Sequence, residues 1–173
     1  VTTYNFNGVQ KIGKYAFAYS ALKGVSVSNL QDVDDGAFEG CRALQSVEML
    51  GSQNKTLGNG VFQDCISLTE VTLRNVGVMG NYAFVGANKL ENVDIQGNDL
   101  TLGSYAFAGT AIQEINLDGV NAIGNGAFYA CEALKRIDLD GVQTIGAYAF
   151  AGCESLTSVL LEDVKRIGDY AFA

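Results

Sequence analysis

The sequence predicts a repeat solenoid: a right-handed superhelix with one short parallel strand per unit of 21–24 residues and loops or short helical turns on the other wall. Three observations carry this. Phenylalanine recurs at 17, 38, 62, 84, 107, 128, 150 and 172, at steps of 21, 24, 22, 23, 21, 22 and 22. A Leu or Ile follows each of the first seven, and it opens a Leu-x-x-Val-x-Leu motif or a close variant. An apolar residue, usually with Gly behind it, precedes each Phe. Self-similarity at such a period marks stacked supersecondary units that bury a continuous core.

The first unit opens on Val1-x-x-Tyr4-x-Phe6, then Gly8-Val9, Ile12-Gly13 and Phe17. Leu22, Val25 and Val27 begin the second, where Val33-Asp34 stands in place of Ile-Gly. The third (Leu44, Val47, Met49) carries two extra residues before Leu57-Gly58, within the polar stretch 51–56. Such insertions belong on a surface turn. Leu68, Val71 and Leu73 lead to Met79-Gly80, and Leu90, Val93 and Ile95 lead to Leu102-Gly103 with one extra residue. Ile112, Ile115 and Leu117, then Leu134, Ile137 and Leu139, then Leu156, Val159 and Leu161 complete the series, which ends at Ile167-Gly168 and Phe172.

Each Val-x-Leu step has period two, so its apolar residues share one face and the residue between them takes the other. Val, Ile and Thr nearby suit a strand, and stacked units form a parallel sheet with neighbours about 4.8 Å apart. The Ile-Gly pair is expected to turn the chain toward the opposite wall, with Gly supplying backbone freedom. Tyr/Gly-Ala-Phe is expected to return to the interior as a helical turn too short to stand alone. Each unit offers roughly seven inward side chains, each worth about 1.5–3 kcal/mol when fully buried. No unit buries them without a neighbour, so continuity of the stack is the source of stability.

Composition excludes several function classes. The net charge is −8, opposite to the basic stripe that tracks phosphate on nucleic acid and to the polybasic patch that docks on anionic lipid. No apolar run approaches a membrane span. Histidine is absent, which removes Ser-His and Cys-His nucleophile pairs and His-based zinc sites. Cys41, Cys65, Cys131 and Cys153 each sit three residues after the repeat Phe, a slot that Ser20, Ala87 and Thr110 fill elsewhere. A disulfide between stacked neighbours is one reading, but parallel side chains of a ladder fit the required dihedral poorly. A zinc site wants close C-x-x-C spacing, which is missing. The expectation is four buried thiols acting as small hydrophobes.

The pattern I-G-x-x-A-F-x-x-C-x-x-L-x-x-[VI]-x-L, clearest at 145–161 and 123–139, resembles the BspA-like, or treponemal-type, leucine-rich repeat over essentially the whole chain. One departure is the absence of the Pro that usually follows the strand; Asp118 and Asp140 stand there, and the turn is a residue shorter. The resemblance implies a bacterial surface or secreted protein, often multidomain, linked to adhesion and host-protein binding. It brings no catalytic residues, cofactor or metal ligands with it. The expected organisation is a single array of about eight units over 1–173, a segment of a longer protein.

Candidate site residues follow from the outward face of the strands. Its three columns hold 21 residues between Gly24 and Glu162, with eight acids (Glu48, Glu70, Asp94, Glu114, Asp118, Asp138, Asp140 and Glu162) and two bases (Arg74 and Arg136). The face therefore carries −6 of the chain's −8. Asp118, Asp140 and Glu162 fall in one column, where stacked like charges repel. The plain reading is a solvated acidic face that keeps the protein soluble. The functional reading is an extended binding surface steering a host or matrix protein, basic in charge, to Glu48, Glu70, Asp94, Glu114, Asn116, Arg136 and Asp138, with Asp118, Asp140 and Glu162 beside them. Calcium would need six to eight oxygens, and no calcium loop is present. Tyr15, Tyr82, Tyr105, Tyr148 and Tyr170 form a second ladder, broken by Gly36, Gly60 and Gly126, that reads as packing along the convex wall. Asn54-Lys55-Thr56 is a glycosylation sequon. The leading function is a non-enzymatic binding module at the cell surface or in secretion. A rigid spacer is the alternative, and a polysaccharide enzyme built on paired carboxylates comes third.

Overall fold

The structure is a computed structural model that describes residues 4, 6, 8–51 and 54–173. The expected strand start at Val1, and Ser52 and Gln53 of the polar insertion, lie outside the described residues. The chain winds into stacked coils with three walls.

The first wall is the expected Val-x-Leu ladder. It holds β2 (Gly24–Val27), β4 (Ser46–Met49) and the leading halves of β6 (Glu70–Met79) and β7 (Asn92–Leu102), all parallel. Val25, Val47, Val71 and Val93 stand in register, as do Val27, Met49, Leu73 and Ile95. A single bridge from Asp94 to Asn116 carries the wall on to β8 (Glu114–Ile115), which pairs with β10 (Arg136–Ile137).

The second wall departs from expectation. Where the Ile-Gly pair was read as a turn, a second parallel ladder runs through β1 (Lys11–Ile12), β3 (Asp32–Val33), β5 (Lys55–Leu57), the trailing halves of β6 and β7, β9 (Val120–Ile123), β11 (Thr144–Ile145) and β12 (Arg166–Ile167). The coils from β2 to β11 thus supply two strand segments each, not one; in the last coil no strand forms at Val159 and Leu161, and β12 alone remains. The reason is the tightness of the corner between them. Val120 N–H donates to Leu117 O at 2.9 Å and Val142 N–H to Leu139 O at 3.0 Å. The third residues of these turns, Gly119 and Gly141, have φ of 77° and 80°, as a type II turn requires. This Gly performs the corner without Pro, and the chain leaves it already extended.

The third wall contains no helix among the described residues. A helix would spend every N–H within its own segment; here alternate N–H groups leave the coil. Ala16, Ala18 and Ser20 donate to carbonyls three residues back, while Tyr15, Phe17 and Tyr19 donate to Asp35, Ala37 and Glu39 of the next coil at 2.7–3.1 Å. The residue before Ala-Phe is left-handed throughout: φ is 55° at Tyr15, 60° at Tyr82, 55° at Tyr105, and 60° at Gly36 and Gly126. Glycine enters that conformation without strain, which explains why Gly alternates with Tyr. The tyrosine rings also lie over neighbouring glycines, since a Cβ on Gly36 would come within 2.3 Å of the Tyr15 ring and one on Gly126 within 2.4 Å of Tyr105.

The core between the walls is a single file of phenylalanine rings. From Phe17 to Phe172 each ring stacks on the next at 5.0–5.4 Å with interplanar angles of 4–13°. All four thiols are free and buried. Those of Cys41, Cys65, Cys131 and Cys153 donate to the carbonyls of Phe17, Phe38, Phe107 and Phe128 at 3.0–3.3 Å. Burial pushes Cys65 and Cys153 up to about 12, because the thiolate would lose its hydration.

Candidate functional site

The outward columns of the first wall form the candidate site. Alternation along each strand sends Val and Leu inward and leaves the residue between them to solvent. The middle column reads Ser26, Glu48, Thr72, Asp94, Asn116 in direct register. Acids alternate with neutral hydrogen-bonding residues, so neighbouring carboxylates stand two strand spacings apart, roughly 10 Å, close to the screening length in physiological salt. The column beside it alternates as well, since Glu70 is flanked by Ser46 and Asn92 and Glu114 faces Arg136. In these two columns register keeps the acids apart; Asp118, Asp140 and Glu162, the column where like charges were expected to repel, lie outside them.

Individual side chains divide into those held and those presented. Glu48 accepts from Ser26 Oγ at 2.8 Å. Asp94 is in a short ion pair with Arg74, whose guanidinium also donates to the Asp94 carbonyl at 3.2 Å. Arg136 and Glu114 approach only to 3.9 Å, both largely exposed, a pair of little energetic weight. Asn116 and Asp138 fold back onto their own chain: Asn116 Oδ1 accepts from Asp118 N–H at 2.9 Å, and Asp138 Oδ1 from Asp140 N–H at 3.0 Å. These bonds stabilise the corner. Asp118 and Asp140 are consequently corner residues at the rim of the face, not members of a strand column. Glu162 lies in the same corner of the last coil, where Val164 N–H meets Leu161 O at 3.3 Å.

Three shallow depressions mark the face. One of about 490 Å³ lies over Gly24, Ser26, Ser46, Glu48, Glu70 and Thr72, with Tyr4 at its edge. The next, about 310 Å³, is ringed by Glu70, Glu91, Asp94 and Glu114 with Thr72 and Asn92. The third, about 420 Å³, is lined by Glu114, Asn116, Arg136, Asp138, Asp140 and Leu160. The candidates are thus spread along the face, with Glu70 and Glu114 each shared by two depressions. Glu91, Tyr4 and Leu160 were not among the residues singled out for the site; Glu91 sits one position before the strand columns and could have been found by widening them. Among the described residues no cluster of Cys, Asp or Glu has the arrangement to hold a metal ion, and no helix is long and apolar enough to cross a membrane.

The polar ladder at the second wall's exit also escaped the sequence reading. Asp35 Oδ1 accepts from Asn59 N–H, Asn59 Oδ1 from Asn81 N–H and Asn81 Oδ1 from Ser104 N–H, each at 2.8 Å; Asn125 Oδ1 accepts from Ala147 N–H at 2.9 Å. Its signal was present as Asp, Asn or Ser recurring directly after the Gly of the Ile-Gly pair, or after Asp34. The Lys14 ammonium, followed by the Asn59 N–H, holds the Asp35 carboxyl below its usual range.

No curated protein matches the sequence closely enough to count as a relative. Solved structures do match. A leucine-rich repeat protein from Bacteroides ovatus superposes with a TM-score of 0.76 at 24% identity, over 94% of this chain and 46% of that one. The T. pallidum leucine-rich repeat protein TpLRR gives 0.68 at 22% identity, over 84% and 74%. A leucine-rich cell surface protein from Faecalibacterium prausnitzii gives 0.51 at 20% identity, over 95% and 62%. At these identities the likeness establishes the solenoid fold, and the chain spans about half the length of the Bacteroides protein. The pattern of the BspA type leucine-rich repeat region matches in six copies, over residues 2–108 and 55–173, so the whole described array is covered and the chain belongs to the BspA type leucine-rich repeat family.

Proposed function

We propose that the chain is a non-enzymatic binding module, displayed on the cell surface or secreted, that presents its acidic strand face to a basic surface of a protein ligand. The observation that carries this reading is the middle column, in which acids recur on alternate strands across a solvent-open face while the core beneath stays uniform. A neutral spacer between acids removes the energetic objection to stacking them and leaves the exposed Glu48 open to a ligand cation, Asp94 being paired with Arg74 already. Membership of the BspA type family and likeness to a protein named as a leucine-rich cell surface protein support the location.

The test reverses charge where the side chains have the least structural work. Glu48→Lys, Glu70→Lys and Glu114→Lys are combined, because Asp94 is tied to Arg74 and Asp138 to its own corner. Binding is read by biolayer interferometry against a panel of immobilised matrix and serum proteins, with poly-L-lysine as the probe of charge. The expected result is salt-sensitive binding that the triple variant loses while keeping its circular dichroism and melting temperature. Unchanged binding by a folded variant would place the contact elsewhere.

A spacer is the second reading, favoured by the unbroken Phe stack and hydrogen bonding between coils on every wall, which make the body stiff. It predicts that removing a whole repeat leaves the activity of any companion domain intact and that the panel stays silent.

A further inference from the structure

We propose that Asp118 is a site of spontaneous isomerisation to isoaspartate in the folded protein, while Asn59-Gly60 and Asn125-Gly126, which sequence alone would mark as more labile, are locked. An Asx-Gly bond rearranges when the glycine amide nitrogen attacks the side-chain Cγ, so both groups must be free to approach each other. The sequence has six such pairs; Asn7 of Asn7-Gly8 lies outside the described residues, and the other five are Asp35-Gly36, Asn59-Gly60, Asp118-Gly119, Asn125-Gly126 and Asp140-Gly141.

Three of them are immobilised at both reacting groups by the next coil. Gly60 N–H donates to Asn81 O at 2.8 Å while Asn59 Oδ1 accepts from Asn81 N–H at 2.8 Å. Gly126 N–H donates to Ala147 O at 2.8 Å while Asn125 Oδ1 accepts from Ala147 N–H at 2.9 Å. Gly36 N–H donates to Asn59 O at 2.9 Å, and Asp35 is held by Asn59 N–H at 2.8 Å and by Lys14 Nζ at 2.9 Å. At Asp140, the Gly141 N–H is engaged by Asp163 Oδ2 at 3.1 Å.

Asp118 differs from all four. It and Gly119 are exposed, and among the described residues the Gly119 N–H has no hydrogen-bond partner. The carboxylate bonds only Asn116 Nδ2, two residues back in the same coil, at 3.2 Å. The acid form reacts: the Gly119 nitrogen bonds to Cγ, and the carboxyl hydroxyl leaves with the amide proton as water. Water then adds to either carbonyl of the succinimide, regenerating aspartate or giving isoaspartate, with no net change in composition. The isoaspartate product routes the main chain through the β-carbon, lengthens the Leu117–Val120 corner by one methylene and leaves an α-carboxylate at the rim of the strand face.

The experiment incubates the native chain and a urea-unfolded sample at 37 °C and mild acid to neutral pH. Peptides are then mapped with isoaspartyl-specific methylation. The expected result is isoaspartate at Asp118 in the native sample at a rate comparable to the unfolded one, with Asp140 lagging. Asn59 and Asn125 should convert about tenfold or more slowly in the native sample, as reactions that wait on local opening do. Asp118→Glu, which would need a six-membered ring, should remove the signal from that peptide alone. Absence of isoaspartate at Asp118 in native protein whose unfolded control forms it would overturn the proposal, as would native Asn59 or Asn125 converting as fast as they do in the unfolded sample.

Discussion

At the scale of single residues, the tyrosine-glycine exchange on the third wall is a matter of backbone before it is a matter of rings. Tyr105 occupies a left-handed conformation at φ 55°, and its ring fills the space a Cβ on Gly126 would take. Gly126→Ala therefore adds a left-handed strain of about 1–2 kcal/mol and displaces the ring besides. Urea denaturation should show that loss, and Tyr105→Gly in the same chain should return part of it, because residues in contact are not additive. The thiols supply a second test. The thiolate is the reactive form, so Cys65 and Cys153, pushed up to about 12 by burial, should resist iodoacetamide at pH 8 until the coils open. Their folded values lie above the unfolded ones near 8.5, so the stability they contribute is present below that pH. It is lost as pH rises toward 12, and a melting temperature that falls through this window more slowly in Cys65→Ala would confirm the sign. Substitution by alanine keeps the small apolar volume and removes the titration.

At the scale of elements, the side-chain ladder at the exit of the second wall adds rungs from Asp35 to Asn59, Asn59 to Asn81, Asn81 to Ser104 and Asn125 to Ala147, independently of the sheets. Removing one rung by Asn81→Ala leaves the Ser104 N–H without its acceptor and should lower stability by about 0.5–1.5 kcal/mol, the net worth of one such bond. The rung is missing where Ala147 occupies the slot, so Ala147→Asn should gain a similar amount by offering Oδ1 to the Asp169 N–H. Differential scanning calorimetry of both variants checks the pair, and shifts of equal sign would refute the ladder as a stabilising element. The ladder also shows where sequence reading stopped. Period two at Val-x-Leu and the spacing of Phe revealed the first wall and the core directly, because burial enforces both. The second strand segment was hidden because two or three extended residues after a tight corner have too few positions to display a period. On the third wall the choice between loops and short helical turns stayed open because apolar Ala-Phe says nothing of φ, although the Tyr/Gly alternation did. At the candidate face the columns were legible, but not which acids are tied down: the Asp94–Arg74 pair forms only once neighbouring strands are side by side, and the Asp138 bond to the Asp140 N–H needs the geometry of the corner.

At the scale of the whole molecule, an array whose coils touch only their neighbours should respond to damage by position. Phe84 is fully buried between Phe62 and Phe107 at 5.2 and 5.0 Å, whereas Phe172 is 41% exposed with one ring beside it. Phe84→Ala removes a ring from the middle of the file and should cost about 3–5 kcal/mol; Phe172→Ala opens no enclosed cavity and should cost far less. Because coupling is local, the central loss should appear as faster amide exchange in the coils around 62–107 before it reaches the ends, and the array should melt as two blocks in place of one. Exchange that quickens evenly from end to end would mean that the coils are coupled over the full length. The binding face would then be one rigid surface, and a ligand seated at Glu70 would protect amides as far away as Asp138. With local coupling, that protection fades within a coil or two of the contact, so the same exchange measurement on the bound protein reports which strands the ligand touches.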